Sequence, residues 1–272
     1  MIIIFIILGV GFVRESIDQL LFKTNDSVTA LKIGQGDAIL LQSKLGARVV
    51  VDGGPDNSVV YRLGNYLPLF DLSLDGIFVT HSDLDHVLGV VELMRRYEVD
   101  YLFVTDFVAE KFLGRLAIEE AKKNNINVIS VKTGDIINLP GMYMQVLWPN
   151  DKLDIEDIND TSIVLQVDFQ HGSALLTGDA GVEIEKILIN HPELLNVDVL
   201  KAGHHGSKSS TQDDFVQTTS PQIAIISAGK DNKFGHPHQE VLDILASNNV
   251  MVLDNINQDL RIEFLEEGLN IP

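Results

Sequence analysis

The densest group of reactive side chains in the chain is the six-residue segment HSDLDH at 81–86, which follows a short apolar run. Residues two apart in an extended stretch project to the same side, so His81 and Asp83 form one pair. Asp85 and His86 are adjacent and diverge, which allows them to face a second cation. The alternative, a helix N-terminus capped by Asp83 or Asp85, accounts for one carboxylate only. The segment therefore predicts a metal site.

Two further apolar runs also end in residues that bind metals. Asp179 follows Leu-Leu-Thr-Gly, and on its own it would be interpreted as a helix N-cap. Beside the first segment, a carboxylate that bridges two cations is favoured. His204 and His205 follow Val-Asp-Val-Leu-Lys-Ala-Gly, and the flanking glycines let the backbone come close to a ligand. We assign His204 as the metal ligand and leave His205 to contact substrate or to orient a ligand.

A fourth candidate is the segment Gly-His-Pro-His at 235–238. His236 and His238 would interact with an anionic group of a substrate, since histidine is a frequent acid or base in catalysis. The alternative is a rigid proline loop that caps a helix beginning at Gln239. Both interpretations stay open.

The elements that must position these residues alternate between strands and helices, which indicates βαβ units and an α/β fold. Apolar runs bounded by Gly and Asp predict strands over residues 28–33, 38–42, 48–51, 75–80, 101–104, 128–131, 142–148, 162–169, 173–177, 197–201, 223–227, 250–253 and 260–265. Helices are predicted over residues 59–67, 90–97, 110–124, 181–190, 213–218 and 239–248.

The composition limits which substrates and which kinds of metal site are expected. The chain has 39 acidic and 20 basic residues and a formal net charge of −19. Such a surface repels polyanions at long range, and no basic footprint of a nucleic-acid binder is visible. A bound cation can nevertheless dominate the local field of an acidic site. Because there is no cysteine, thiolate metal sites are excluded and any cation must be held by nitrogen and oxygen.

The N-terminus begins with an apolar run at residues 1–13. A membrane span needs roughly 20 such residues, and the basic region that opens a secretory signal is missing. A signal or anchor, the stub of a longer membrane helix and a buried first element all stay open. We predict a hydrophobic segment over residues 1–24, with a membrane tether through residues 1–22 and a membrane-anchored or extracytoplasmic location.

Six pieces of the sequence occur in the order and spacing of a known family. They are residues 34–38, 51–54, 80–86, 176–179, 204–208 and 235–238. The chain resembles the metallo-β-lactamase superfamily, whose hallmark is His-x-His-x-Asp-His, and within it the C-terminal hydrolase domain of ComEC-type competence proteins. The resemblance implies a hydrolase domain over residues 25–272, built as a four-layer αβ/βα sandwich with two metals at one edge of the packed sheets.

The resemblance also divides the ligands between the metals. It implies that the first metal is held by His81 and Asp83. The second metal is held by Asp85, His86 and His204, and Asp179 lies between the two. In two places this chain departs from the family. Asp83 stands where the superfamily has a second histidine, and Asn-Asp-Thr at 159–161 occupies the region of its third. Oxygen-rich ligands shift preference from zinc toward manganese or magnesium. We expect one or two divalent cations, Zn²⁺ or Mn²⁺.

The implied activity is metal-assisted hydrolysis, in which a cation lowers the pKa of water from about 16 to about 7. Asp85 would orient the water and accept its proton, while His236 or His238 would stabilise developing charge or protonate the leaving group. The expected substrate is a phosphodiester, with single-stranded DNA suggested by the ComEC resemblance. The alternatives are a hydrolase of a small phosphodiester or ester at the cell envelope, and a non-enzymatic module with a decayed site. No obligate protein partner is inferred.

Overall fold

The computed structural model describes residues 24–68, 71–150, 155 and 157–272. The predicted hydrophobic segment at 1–24 lies outside these residues except for Thr24, so the tether and the boundary at residue 25 stay predictions. Within the described ranges, no helix combines the length and the apolar character that a membrane crossing requires.

The first of two sheets has eight strands. They are β1 (Asp26–Ala30), β2 (Ile39–Gln42), β3 (Arg48–Val51), β4 (Ser73–Phe78), β5 (Glu98–Val104), β6 (Asn127–Ser130), β14 (Leu260–Leu265) and β15 (Gly268–Asn270). Their order is β15-β14-β1-β2-β3-β4-β5-β6. The pairs from β15 to β3 are antiparallel, and those from β3 to β6 are parallel.

The second sheet repeats this division with seven strands. They are β7 (Ile136–Leu139), β8 (Met142–Trp148), β9 (Val164–Phe169), β10 (Gly172–Leu176), β11 (Val199–Lys201), β12 (Ile223–Ile226) and β13 (Met251–Asp254). Their order is β13-β12-β11-β10-β9-β8-β7. The strands from β10 to β13 pair in parallel, and those from β7 to β10 are antiparallel. Every predicted metal ligand follows one of the parallel strands.

Seven α-helices cover the outer faces of the two sheets in the described part of the chain. They are α1 (Ser58–Leu63), α2 (Leu84–Met94), α3 (Asp106–Glu110), α4 (Phe112–Lys123), α5 (Val182–Leu188), α6 (Asp213–Thr219) and α7 (Gln239–Ser247). The first four share a buried apolar layer with the first sheet. The last three pack on the second sheet.

Alternation along each strand explains the layers. In β3, Val49 and Val51 enter the apolar layer between the sheets, while Val50 faces the helices on the other side. Such a strand has two buried faces, so its side chains are apolar throughout instead of alternating with polar ones. The arrangement is helix, sheet, sheet, helix. The predicted αβ/βα sandwich is confirmed.

Two strands and one α-helix were not predicted, and another α-helix begins earlier than predicted. Strands β7 and β15 and helix α3 were not predicted, and α2 begins at Leu84 rather than Val90. The first turn of α2 carries Asp85 and His86, whose polarity hides the apolar period by which a helix is recognised. The helix therefore begins inside the metal-binding segment, and its N-terminus points at the site.

Helix α2 lies directly on the chain that leaves β3, because two glycines meet there. The amide of Gly53 donates to His86 O (2.8 Å), and that of Gly89 donates to Gly54 O (3.0 Å). A Cβ on Gly89 would lie 1.8 Å from Gly53 O, and one on Gly53 would lie 2.3 Å from Val90 N. The absence of both side chains sets the distance between His86 and the end of β3.

Substituting Gly89→Ala should therefore destabilise the fold, although alanine favours a helix by about 1 kcal/mol over glycine. We expect the free energy of unfolding to fall by about 1–3 kcal/mol, the usual cost of overpacking, as measured by urea denaturation. The matched control is Gly64→Ala at the end of α1, where a Cβ would lie 3.6 Å from its nearest neighbour. Equal stability of the two variants would contradict the proposed backbone contact.

Candidate metal centre

Imidazole and carboxylate side chains converge at one edge of the sandwich, where parallel strands of both sheets end. Asp52 follows β3, His81 follows β4, Asp179 follows β10 and His205 follows β11. A rigid sheet thus presents each side chain from its carboxyl end, where functional residues are commonly found. Residues more than a hundred positions apart in sequence become neighbours here.

One carboxylate oxygen stands at the centre of the cluster. Around Asp179 Oδ2 lie four imidazole Nε2 atoms, those of His205 (3.3 Å), His86 (3.5 Å), His204 (3.8 Å) and His81 (3.9 Å). All but the nitrogen of His204 are buried and have no hydrogen-bond partner in the described part of the chain. An unsatisfied buried polar atom costs about 1–3 kcal/mol. A proton or a metal cation bound by these nitrogen atoms would remove that cost.

The donor set fits divalent cations. Potential ligand atoms of His81, His86 and Asp179 lie within 4.8 Å of one another, and so do those of Asp85, His86 and His205. Imidazole and carboxylate are ligands of zinc, manganese and iron. The residues present can therefore hold one or two such ions.

Both remaining carboxylates of the HSDLDH segment border the cluster. Asp83 Oδ2 lies 3.9 Å from His81 Nε2, and Asp85 Oδ2 lies 3.6 Å from His205 Nε2. Asp83 occupies the N-cap position of α2, yet its side chain makes no capping hydrogen bond. The N-cap of α5 is Gly181 rather than Asp179. Neither Asp83 nor Asp179 therefore forms a capping hydrogen bond with a helix N-terminus.

His205, and not only His204, belongs to this cluster. The Nε2 atom of His205 approaches both Asp179 and Asp85, and its side chain is buried. His204 Nε2 approaches Asp179 alone, its side chain is 28% exposed, and Nδ1 lies 3.3 Å from Ser209 Oγ. The geometry favours His205 for the role that we assigned to His204 from the sequence.

A left-handed turn brings the two histidines to the site. His204 (φ 46°) and His205 (φ 57°) both have positive φ, followed by Gly206 at 80°. Such residues cost of order 1–3 kcal/mol each and persist only where the surroundings impose them. Here Ser210 Oγ donates to Gly203 O (2.7 Å), and the Gly203 amide donates to Thr211 Oγ1 (3.0 Å).

A buried carboxylate that we did not predict orients two of the imidazoles. Asp52 Oδ2 accepts from His86 Nδ1–H (2.8 Å) and from the Thr80 hydroxyl (2.6 Å). Since that hydroxyl proton is used, Thr80 Oγ1 accepts from His81 Nδ1–H at 3.1 Å. In their neutral forms both rings consequently carry the proton on Nδ1 and direct the Nε2 lone pair toward Asp179, as outer partners of metal ligands commonly enforce.

A buried ion pair, also not predicted, lies behind Asp179. Lys201 Nζ lies 2.5 Å from Asp37 Oδ2 and 3.6 Å from Asp179 Oδ1, and it donates to Gly178 O (2.9 Å). Burial disfavours the Asp37 carboxylate, but Lys201 and His205 hold its pKa well below the usual range. A signal for this pair was present in the sequence. Lys201 lies two residues after Val199 on the same face of the strand, and Val199 packs between the sheets, so a charged side chain there needs a buried partner.

The buried histidines of the cluster differ in the direction of their pKa shifts. Burial and the neighbouring His86 lower the pKa of His81 to about 3. Burial opposes the charged forms of His86 and His205, yet nearby carboxylates, Asp179 first, raise the pKa of both well above the ordinary value. With no cation bound, these two rings hold protons at neutral pH.

The two histidines of the Gly-His-Pro-His segment have different surroundings. The ring of His236 lies 5.5 Å from that of His204 between centroids, and burial together with His204 lowers its pKa to about 4. His238 Nδ1 accepts from the Lys208 amide (3.1 Å), and the His238 amide donates to Gly206 O (2.9 Å). His236 faces the cluster, while His238 braces the loop that carries it.

Comparison with known proteins agrees with the predicted resemblance. Residues 31–230 match the family model of the metallo-beta-lactamase superfamily. The chain is 32% identical to ComE operon protein 3 of Bacillus subtilis over 243 residues, 83% of this chain and 31% of that protein. It is 29% identical to recombination protein 2 of Haemophilus influenzae over 259 residues, 92% of this chain and 30% of that protein. The chain spans about a third of the length of these curated relatives.

Solved structures share the fold at low sequence identity. Tm1679, described as a metal-dependent hydrolase of the beta-lactamase superfamily, superposes with a TM-score of 0.56 at 14% identity, covering 87% of this chain and 98% of that one. CmlA, a diiron beta-hydroxylase from Streptomyces venezuelae, gives 0.62 at 13% identity, covering 88% and 54%. The family model matches most of the chain. The curated relatives are a competence operon protein and a recombination protein, and the solved structures share the sandwich fold. The chain belongs to the metallo-beta-lactamase superfamily.

Proposed function

We propose that this chain is a divalent-cation-dependent phosphodiesterase that cleaves DNA. The observation that carries the proposal is the set of buried, unpartnered Nε2 atoms of His81, His86 and His205 around Asp179. The names of the relatives, a competence operon protein and a recombination protein, support DNA as the substrate. The fold alone does not decide the reaction, since CmlA is a hydroxylase.

The ligands divide into two sets in this proposal. One set is His81, Asp83 and Asp179, and the other is Asp85, His86 and His205, with His204 as the alternative to His205. A bound divalent cation supplies Lewis acidity, which polarises a phosphoryl group and lowers the pKa of water to about 7. The carboxylate at Asp83, in place of imidazole, favours Mn²⁺ over Zn²⁺ on its side.

Asp85 is the residue best suited to orient the attacking water and accept its proton. Burial opposes its charge, yet the nearby imidazoles of His205 and His86 lower the pKa of its carboxyl below the ordinary value, so it is ionised at neutral pH. Burial raises the pKa of Asp83 instead. The side chain of Asp85 is 28% exposed, which leaves it accessible to a water molecule from the substrate side.

His236 and His238 act on the substrate's anionic group. His236 is neutral at pH 7 because its pKa is lowered to about 4, so it serves as a hydrogen-bond donor to a phosphoryl oxygen. His238 accepts at Nδ1 from Lys208, and a neutral imidazole that accepts at one nitrogen carries its proton on the other. Its Nε2–H is therefore a second donor near the same loop.

The net charge of −19 favours a second candidate, a hydrolase of a small phosphodiester or ester at the cell envelope, because a polyanion is repelled at long range. The predicted tether at residues 1–22 would suit such a substrate. The cleavage assay below separates this candidate from the first.

Substituting Asp85→Asn should lower kcat for Mn²⁺-dependent cleavage of a single-stranded oligonucleotide by about 10²–10⁴-fold, the usual contribution of a general base. A chelator should abolish the activity. Asp243→Asn, on the exposed face of α7, is the matched control and should cleave normally. If DNA stays intact while a small phosphodiester is hydrolysed in an Asp85-dependent manner, the second candidate is correct.

Substituting Thr80→Val keeps the shape of the side chain but removes the hydroxyl that joins His81 to Asp52. Loss of such an outer partner typically weakens cation binding 10–100-fold, and we expect this loss for Mn²⁺ in competition with a chromophoric chelator. Thr29→Val is the control, because Thr29 is buried in β1 and its hydroxyl has no partner in the described part of the chain. Equal affinities in the two variants would exclude the relay through Thr80.

Cation affinity should rise with pH, because His86 and His205 must each lose a proton from the site before binding. Their pKa values lie well above 6.5 in the cation-free protein, so protons compete with the cation at and below neutral pH and cease to compete in more alkaline solution. Calorimetry in two buffers of different ionisation enthalpy should report net proton release at pH 7. A dissociation constant independent of pH between 6 and 9 is the opposite result.

A further inference from the structure

An exposed aromatic ring lies next to the metal centre on the loop that follows β12. Phe234 is 51% exposed and stacks on His236, with ring centroids 5.6 Å apart and planes inclined by 22°. His236 in turn lies 5.5 Å from His204 and 6.3 Å from His205 between centroids. The two stacked rings form a ledge that runs from solvent to the histidine cluster.

The loop holds this ring in solvent by its own hydrogen bonds. Asn232 Nδ2 donates to Gly229 O (2.9 Å) and His236 O (2.7 Å). Asn232 Oδ1 accepts from the amides of Phe234 (3.2 Å) and His236 (3.0 Å). The Gly229 amide donates to Gln35 Oε1 of the first sheet's loop (3.1 Å). Burying a phenylalanine side chain is worth about 1.5–3 kcal/mol, so a braced loop that keeps it exposed forgoes that stabilisation.

Charge around the ledge is opposite to that of the whole chain. The two loops at 203–212 and 229–238 carry three exposed lysines, Lys208, Lys230 and Lys233, against the single acid Asp231. Lys233 Nζ lies 4.9 Å from the centroid of the Phe234 ring. Lys233 therefore lies over the ring, on a flexible and exposed side chain. No ion pair engages these lysines in the part of the chain that the structure describes. An exposed aromatic ring accompanied by lysines without ion-pair partners is complementary to a base attached to a phosphodiester backbone.

We propose that Phe234 and His236 form a stacking ledge for one unpaired nucleobase of a single-stranded nucleic acid bound at the metal centre. The proposal rests on the proposed function and adds to it the residue that distinguishes a nucleotide strand from other phosphodiesters. Stacking on an aromatic side chain tolerates every base, because each base has a π-face. A duplex keeps its base faces covered, so the ledge selects single strands.

The test compares a 5′-labelled oligothymidylate with an abasic strand of the same length, which has the phosphodiesters without the bases. Binding is followed by fluorescence anisotropy at low ionic strength with Mn²⁺ present, in an Asp85→Asn background whose slow cleavage leaves the strands intact. Stacking is worth about 1–3 kcal/mol per base, so Phe234→Ala should weaken binding of the oligothymidylate by about 5–150-fold. Binding of the abasic strand should not change, and Phe234→Tyr should behave as the unaltered protein.

Tyr61→Ala is the matched control, because Tyr61 is an exposed aromatic residue of α1 (70% exposed) and should leave both affinities unaltered. Equal losses for both strands in Phe234→Ala, or no loss for either, would overturn the ledge. Cleavage with Mn²⁺ is measured on the same strands. Base-dependent binding without cleavage would refute the nuclease and retain the ledge, whereas cleavage indifferent to the bases would retain the nuclease and refute the ledge.

Discussion

The buried carboxylate of Asp52 is the constraint on which the site depends. It accepts from His86 directly and from His81 through the Thr80 hydroxyl, so one group sets the tautomer and the orientation of two imidazoles that leave different elements. The backbone adapts to it: Asp52 has a φ of 59°, and Gly53 and Gly89 let α2 approach the chain after β3 to hydrogen-bonding distance. Without this anchor, the Nε2 lone pairs of both rings would have no fixed direction.

Charge balance is the second constraint, because Asp37, Asp52 and Asp179 are all buried at one end of the sandwich. Removing a carboxylate from water costs several kcal/mol unless it is compensated. Lys201 neutralises Asp37 permanently, whereas Asp179 depends on protons held by His86 and His205. A divalent cation bound by these residues would replace those protons with a stronger and better-directed charge. Cation binding and the stability of this end of the fold would thus be linked through the same side chains.

The sequence predicted the parts of the site that repeat short chemical patterns and missed those that depend on tertiary contacts. The HSDLDH segment and Asp179 were found because ligand types and strand ends coincide. The role of Lys201 was not predicted, because its partner Asp37 is distant in sequence and contacts it only when the two sheets stack. The choice between His204 and His205 depends on a left-handed turn that neither residue type favours. Strands β3, β8 and β14 matched their predicted bounds because apolar runs and turn residues delimit them.

A strongly acidic chain can act on a polyanion if attraction is local and repulsion is screened. At physiological ionic strength the Debye length is about 8 Å, so most surface carboxylates do not reach the metal centre through solvent. In the proposed complex, the local field would come from the cation, from the lysines of the two loops beside the site and from the imidazole donors. Such a balance favours a contact of a few nucleotides over a long tract, because each additional phosphate would leave the positive loops and meet the acidic surface. If the proposed activity is correct, the local charge pattern therefore limits the length of strand that the site can bind as well as its chemical class.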